Sequence, residues 1–176
     1  MLTHHRRPVC FSLISLDMPL ISVVETAATL YEKEGDRFHL LLTEPPIHDI
    51  AAESEAPPPV PASPRLIWLE ISPYRVTMTM QGNGKQSYRH YWEQGIFGLS
   101  RFWLQGDDFA TCQQLRLRNY TRSLTLTREP QPNSLPKHLR VEYELWGDSP
   151  SHIAAHRTLM GVYVLNVEIQ ADEDAN

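Results

Sequence analysis

Cysteine is scarce: Cys10 and Cys112 are the only two in 176 residues, and they form no C-x-x-C pair. That count excludes a disulfide framework and a cysteine-rich metal site, and it fits reduced thiols in a cytoplasmic protein. Long hydrophobic runs are also missing, so no stretch reaches the length of a membrane-spanning helix. The apolar run Val9–Leu16 follows His4-His5-Arg6-Arg7 and imitates an export signal, but Asp17 and Pro19 close it and no small-residue cleavage site follows. Export is not expected. There is no G-x-S-x-G, no phosphate-binding loop, no G-x-G-x-x-G and no Cys-His signature, so hydrolase, kinase and dehydrogenase chemistry has no motif to stand on.

The net charge of −5 is unevenly spread. Residues 1–64 carry four Lys/Arg against nine Asp/Glu, residues 65–167 carry twelve against eight, and residues 168–176 carry four acids and no base. A mildly basic body between acidic flanks lacks the strong field that duplex nucleic acid requires. An anionic small molecule or an acidic protein partner remains compatible with it.

Alternation supplies the fold class. In His138–Trp146 the odd positions Leu139, Val141, Tyr143 and Leu145 are apolar, while the even positions His138, Arg140, Glu142 and Glu144 are polar. This is the period of a strand with one dry face. The same period recurs in Tyr74, Val76, Met78 and Met80, in Ser87–Gln94, in Ile96–Leu104 and in Thr158–Ile169, where Leu159, Tyr163, Leu165, Val167 and Ile169 share one face. Gly82-Asn83-Gly84 signals a hairpin, and Gly98 a bulge or bend. Phe109–Thr127 changes its apolar parity between Leu117 and Leu124, which requires a break near Asn119. The expected architecture is mainly β: an antiparallel barrel or half-barrel of eight or so strands.

One helix is expected, over roughly 19–34. Asp17 serves as its cap, Leu20, Val23, Val24, Ala27, Leu30 and Tyr31 repeat at three- and four-residue spacing, and Gly35 ends it. A shorter helical turn is expected at Ser151–Arg157. The chain then divides into a frayed tail at 1–8, a strand-helix-strand part at 9–43, a proline-rich acidic insertion at 44–64, the β body at 65–170 and an acidic tail at 171–176.

Candidate binding residues come from two patterns. Gln114, Arg116, Arg118, Tyr120 and Arg122 share parity, so their guanidinium forks line one face at about 7 Å intervals, suited to carboxylates or phosphates. The alternative is a solvated face paired with Glu142 or Glu144. Tyr88, Tyr91, Trp92, Phe97, Phe102 and Trp103 are interleaved with Arg89, His90 and Arg101. Such rings ordinarily fill a β core; they can also wall a pocket, or stack unpaired bases, which ranks last for want of net positive charge. Arg116, Arg118, Trp92 and Trp103 are the pocket residues these patterns select. His152 and His156 would lie one turn apart on a helix, but no third ligand accompanies them and no metal is expected.

Glu144-Leu-Trp146-Gly-Asp-Ser149-Pro150, with the late strand ending in Glu168-Ile169, resembles the C-terminal strands of S/U-type phycobiliprotein lyases, over about forty residues. Those lyases are lipocalin-like barrels that hold an open-chain bilin and deliver it to a cysteine. The resemblance implies a ligand-holding barrel and a bilin or other tetrapyrrole-like ligand, and transfers no site residue. Three functions follow as expectations: non-catalytic binding of an anionic, largely apolar small molecule or a protein partner; chromophore attachment; and protein assembly.

Overall fold

The computed structural model describes residues 4–19, 21–33, 36–44, 65–81, 86–105, 112–128, 134–148 and 157–170. They form ten strands: β1 (His4–Ser15), β2 (Ile21–Lys33), β3 (Arg37–Glu44), β4 (Arg65–Ile71), β5 (Arg75–Gln81), β6 (Gln86–Glu93), β7 (Phe97–Gln105), β8 (Cys112–Arg128), β9 (Pro136–Asp148) and β10 (Arg157–Ile169). Each pairs antiparallel with its neighbour in sequence, and β1 pairs with β10 to close the barrel. Closure leaves no free edge, which an antiparallel sheet of this size would otherwise have to protect. The barrel is thus closed rather than half-open, and it has ten strands rather than eight or so.

The expected helix over 19–34 is a strand. Ile21, Val23, Val24, Thr26 and Thr29 are β-branched, and such side chains favour a pleated surface over a helical turn. Val24, Ala28 and Leu30 face the core while Ile21 and Val23 are exposed, so the three- and four-residue spacing was an accident of apolar residues on both faces. Asp17 caps no helix. Its carboxylate accepts from the Ser15 hydroxyl (2.8 Å) and from the Val162 backbone N–H (3.2 Å), pinning the β1–β2 turn to β10. No helix occurs among the described residues.

Residues 4–8 are likewise no frayed tail, since His4 pairs with Tyr31 and Pro8 with Ala27. The 9–43 unit is therefore three strands. The insertion at 45–64, the turn 82–85, most of Ser151–Arg157 and the tail 171–176 lie outside the described residues.

The organising strand behaves as its period predicts. Leu139, Val141, Tyr143 and Leu145 of β9 are all buried, and the first three join Leu30, Leu40, Leu69, Met78, Met80, Trp92 and Leu165 in one continuous core. Each such side chain contributes roughly 1.5–3 kcal/mol of burial. The break in β8 falls later than expected, between Thr121 and Ser123, leaving Arg122 as the bulged residue. Leu117, Asn119 and Thr121 point inward before it and Leu124 after it. In β10 the register slips between Leu159 and Gly161, and Leu159 is exposed rather than packed.

Candidate functional site

Two features meet on the β6–β7–β8 wall, one on each side of the sheet. Inside lies a buried polar cluster. His90 on β6, Ser100 on β7 and Asn119 on β8 are in neighbouring strands with inward parity, and all three are buried. Asn119 Nδ2 donates to Ser100 Oγ (2.8 Å), so the Ser100 hydroxyl hydrogen is free to be donated to His90 Nδ1 (2.7 Å). This pattern fits neutral His90 with its proton on Nε2.

Aromatic rings wall the cluster. Trp92 stacks parallel to His90 at 5.0 Å, Phe102 meets it edge-on at 5.3 Å, and Tyr143 lies 5.0 Å from Trp92. Burial with no compensating charge pushes the His90 pKa down to about 3, and burial pushes the Tyr143 phenol up. A serine hydrogen-bonded to a histidine invites comparison with hydrolases. Here the histidine is too weak a base to take the serine proton near neutral pH, and the hydroxyl has no exposed surface for a substrate to reach. The pair is a core hydrogen-bond network. Trp92 Nε1, Asn119 Oδ1 and Thr121 Oγ1 have no protein partner there.

The outer side of the same wall is basic and aromatic. Arg89 pairs in register with Arg101, and Arg101 with Arg116, so three guanidinium-bearing residues stand side by side across β6, β7 and β8. Arg118 follows on β8 beside Leu99. All four arginines are exposed. Like charges directly opposite one another destabilise a sheet, so this row is a local cost of the fold. Among the described residues no carboxylate pairs with Arg89, Arg101 or Arg118, and Arg116 donates only to Gln114 Oε1 (2.9 Å). The nearby acids are engaged: Glu144 takes Arg122 (2.8 Å) and the Trp146 indole N–H (2.8 Å), Glu142 lies 3.6 Å from both Arg122 and Arg140, and Glu93 accepts from the Tyr91 hydroxyl.

Arg89, Tyr91, Phe97, Gly98, Leu99 and Arg101 line a groove of about 430 Å3 on this outer face. Gly98 sets its floor. A β-carbon there would sit 2.0 Å from the Tyr91 carbonyl oxygen, so only glycine permits the two strands to approach this closely. Gly95, at φ 72°, turns the chain from β6 into β7 and presents Phe97 at 48 % exposure. Phe97 leans on Tyr120, ring centres 5.0 Å apart.

Of the residues selected from sequence, Arg116 and Arg118 lie on this outer face, and alternation places half-buried Trp103 with Arg101 on the same side. The wall separates them from Trp92, which is wholly buried inside. The row of arginines therefore looks into solvent, and its pairing with Glu142 and Glu144 is made by Arg122 alone. Arg89, Leu99 and Arg101 complete the groove; the sequence pattern contained Arg89 and Arg101, but only the strand register reveals that they stand against Arg116.

No family model and no curated protein matches the sequence. A solved structure does match in shape. The barrel resembles that of the ywiB protein of Bacillus subtilis. The likeness covers 97 % of this chain and 94 % of that one, with a TM-score of 0.55 and 12 % identity. At that identity the ywiB likeness shows the fold alone. It supports the barrel architecture that the lyase resemblance implied, without a family match to the lyases.

Proposed function

We propose that this barrel is a non-catalytic binding protein that holds an anionic, largely apolar small molecule against the outer face of β6–β8. The observation that carries the reading is the groove in which Arg89 and Arg101, free of carboxylate partners among the described residues, flank Tyr91, Phe97 and Leu99. Its volume is that of an ordinary small-molecule site. Two adjacent guanidinium groups supply bidentate anion recognition, and the rings and leucine cover an apolar body. Trp103, Arg116 and Arg118 extend the same surface. The free Cys10 thiol supports a cytoplasmic, reducing location.

The probe 8-anilinonaphthalene-1-sulfonate has this chemistry. Its fluorescence should rise on mixing with the protein, and the double variant Arg89→Glu/Arg101→Glu should weaken binding at least tenfold. Undiminished binding by that variant would remove the reading. Biliverdin, a flat dicarboxylate, tests chromophore handling at the same time, because a red-shifted band lost in the double variant would place the lyase function on this face.

A protein partner is the second reading, favoured by a separate rim of exposed apolar side chains. Leu16, Met18, Ile21 and Val23 lie about the β1–β2 turn, and Leu159 and Met160 occupy the start of β10. Such an accumulation is typical of interaction surfaces. Co-purification of a stoichiometric partner, lost in Ile21→Lys, would support the assembly role; a partner retained by that variant would count against it.

A further inference from the structure

We infer that the outer face of β6–β8 takes single-stranded nucleic acid, with phosphates on the arginine row and bases against the flanking rings. The inference rests on the binding face proposed above and names a class of ligand for it. A single small anion would engage one or two guanidinium groups, whereas this face presents four. Arg89, Arg101 and Arg116 are spaced about 5 Å apart across the strands, and Arg118 lies about 7 Å further along β8. A repeating anion neutralises such a row in one binding event and relieves the like-charge repulsion built into it.

The rings make the anion a nucleic acid rather than an acidic peptide. Phe97 is half exposed, Tyr120 packs beside it, and Tyr91 shares the groove with Arg89 and Arg101. The exposed Phe97 ring, backed by half-buried Tyr120 and set among arginines on the face of an antiparallel sheet, offers a stacking platform to any base, at about 1–3 kcal/mol per base. Paired bases expose no free ring face along a duplex, so a double strand would find only the charges. The protein's overall charge of −5 does not forbid this, because screening confines each field to about 10 Å at 0.1 M salt and the acids on β9 are already engaged.

Fluorescence anisotropy with a fluorescein-labelled ten-nucleotide oligouridine tests the inference. Binding is expected at 20 mM NaCl, with log affinity falling against log salt at a slope of about −2 to −3, from roughly 0.7 per phosphate contact. Arg101→Glu should weaken binding at least tenfold and flatten the slope. Phe97→Ala should weaken it about fivefold or more with the slope unchanged. Lys137→Ala, which removes an exposed charge at the far end of β9, should leave binding within twofold. Circular dichroism melting of each variant establishes that the barrel remains folded.

No binding at 20 mM NaCl, binding indifferent to Arg101→Glu, or equal binding of a ten-base-pair duplex or a polyglutamate peptide would overturn the inference. If oligouridine fails while the naphthalene sulfonate still binds and is lost in Arg89→Glu/Arg101→Glu, the nucleic-acid inference falls and the small-molecule reading stands. If both probes fail, both fall.

Discussion

Acid should destabilise this barrel chiefly through His90. In the folded protein it is held neutral, its pKa pushed down to about 3 by burial, while in the unfolded chain it returns to about 6.5. Between those values the unfolded state binds the extra proton, so stability is complete above about pH 6.5 and is lost as the pH falls toward 3. From pH 7.5 to pH 5.0 the two pKa values give a loss of about 2 kcal/mol from His90 alone. His39, which burial also depresses, adds to the total slope, so the assay must be differential.

Urea unfolding of wild type and His90→Asn at pH 7.5, 6.0 and 5.0 provides it. Asparagine keeps an acceptor for the Ser100 hydroxyl but loses the ring stacked on Trp92, so the variant is less stable at pH 7.5. Over the acid interval it should lose about 2 kcal/mol less than wild type. Equal losses in the two proteins, or a His90 ring resonance titrating near pH 6.5, would refute the buried neutral histidine and the cluster built around it.

Other outcomes follow from the same wall. Ser100→Ala strands both His90 Nδ1 and Asn119 Nδ2, and should cost about 2–6 kcal/mol in urea unfolding, from about 1–3 kcal/mol for each buried unsatisfied group. Gly98→Ala would set a β-carbon against the Tyr91 carbonyl and the inward Asn119 Oδ1, and should destabilise by about 1–3 kcal/mol in urea unfolding. Arg101→Thr should raise stability by about 0.5 kcal/mol at 20 mM NaCl, as a like-charge neighbour of two arginines is removed, and the gain should vanish at 1 M. The Cys10 thiol has its pKa raised by burial and by the carboxylates of Glu25 and Glu168, so in a Cys112→Ser background it should react with Ellman's reagent more slowly than a free thiol at pH 8, and faster after Glu25→Gln/Glu168→Gln.

Most of the barrel is legible in the sequence because strand period and burial coincide there. Leu139 to Leu145 reads as a strand and is one, whereas Gly98, which reads as a bulge or bend, keeps its register with Asn119 and marks a close approach to Tyr91 instead. The failure over 19–34 has a physical cause. Apolar residues on both faces mimic a helical stripe, and β-branched content was the better guide than spacing. The candidate site was harder. Parity within one strand finds Arg116 and Arg118, but not the Arg89–Arg101–Arg116 alignment, which exists only through pairing register across three strands. Parity also cannot say which side of a closed wall is the interior. For that reason Trp92 and Trp103 read alike in sequence although they occupy opposite sides.

The central claim is that ligand recognition belongs to the outside of the β6–β8 wall and not to the barrel interior. Backbone amide chemical-shift mapping with saturating naphthalene sulfonate tests it most directly. The account predicts shifts concentrated at Arg89, Tyr91, Phe97, Leu99, Arg101 and Arg118. Shifts confined to core strands, such as Leu139–Leu145 and Val164–Val167, would contradict it.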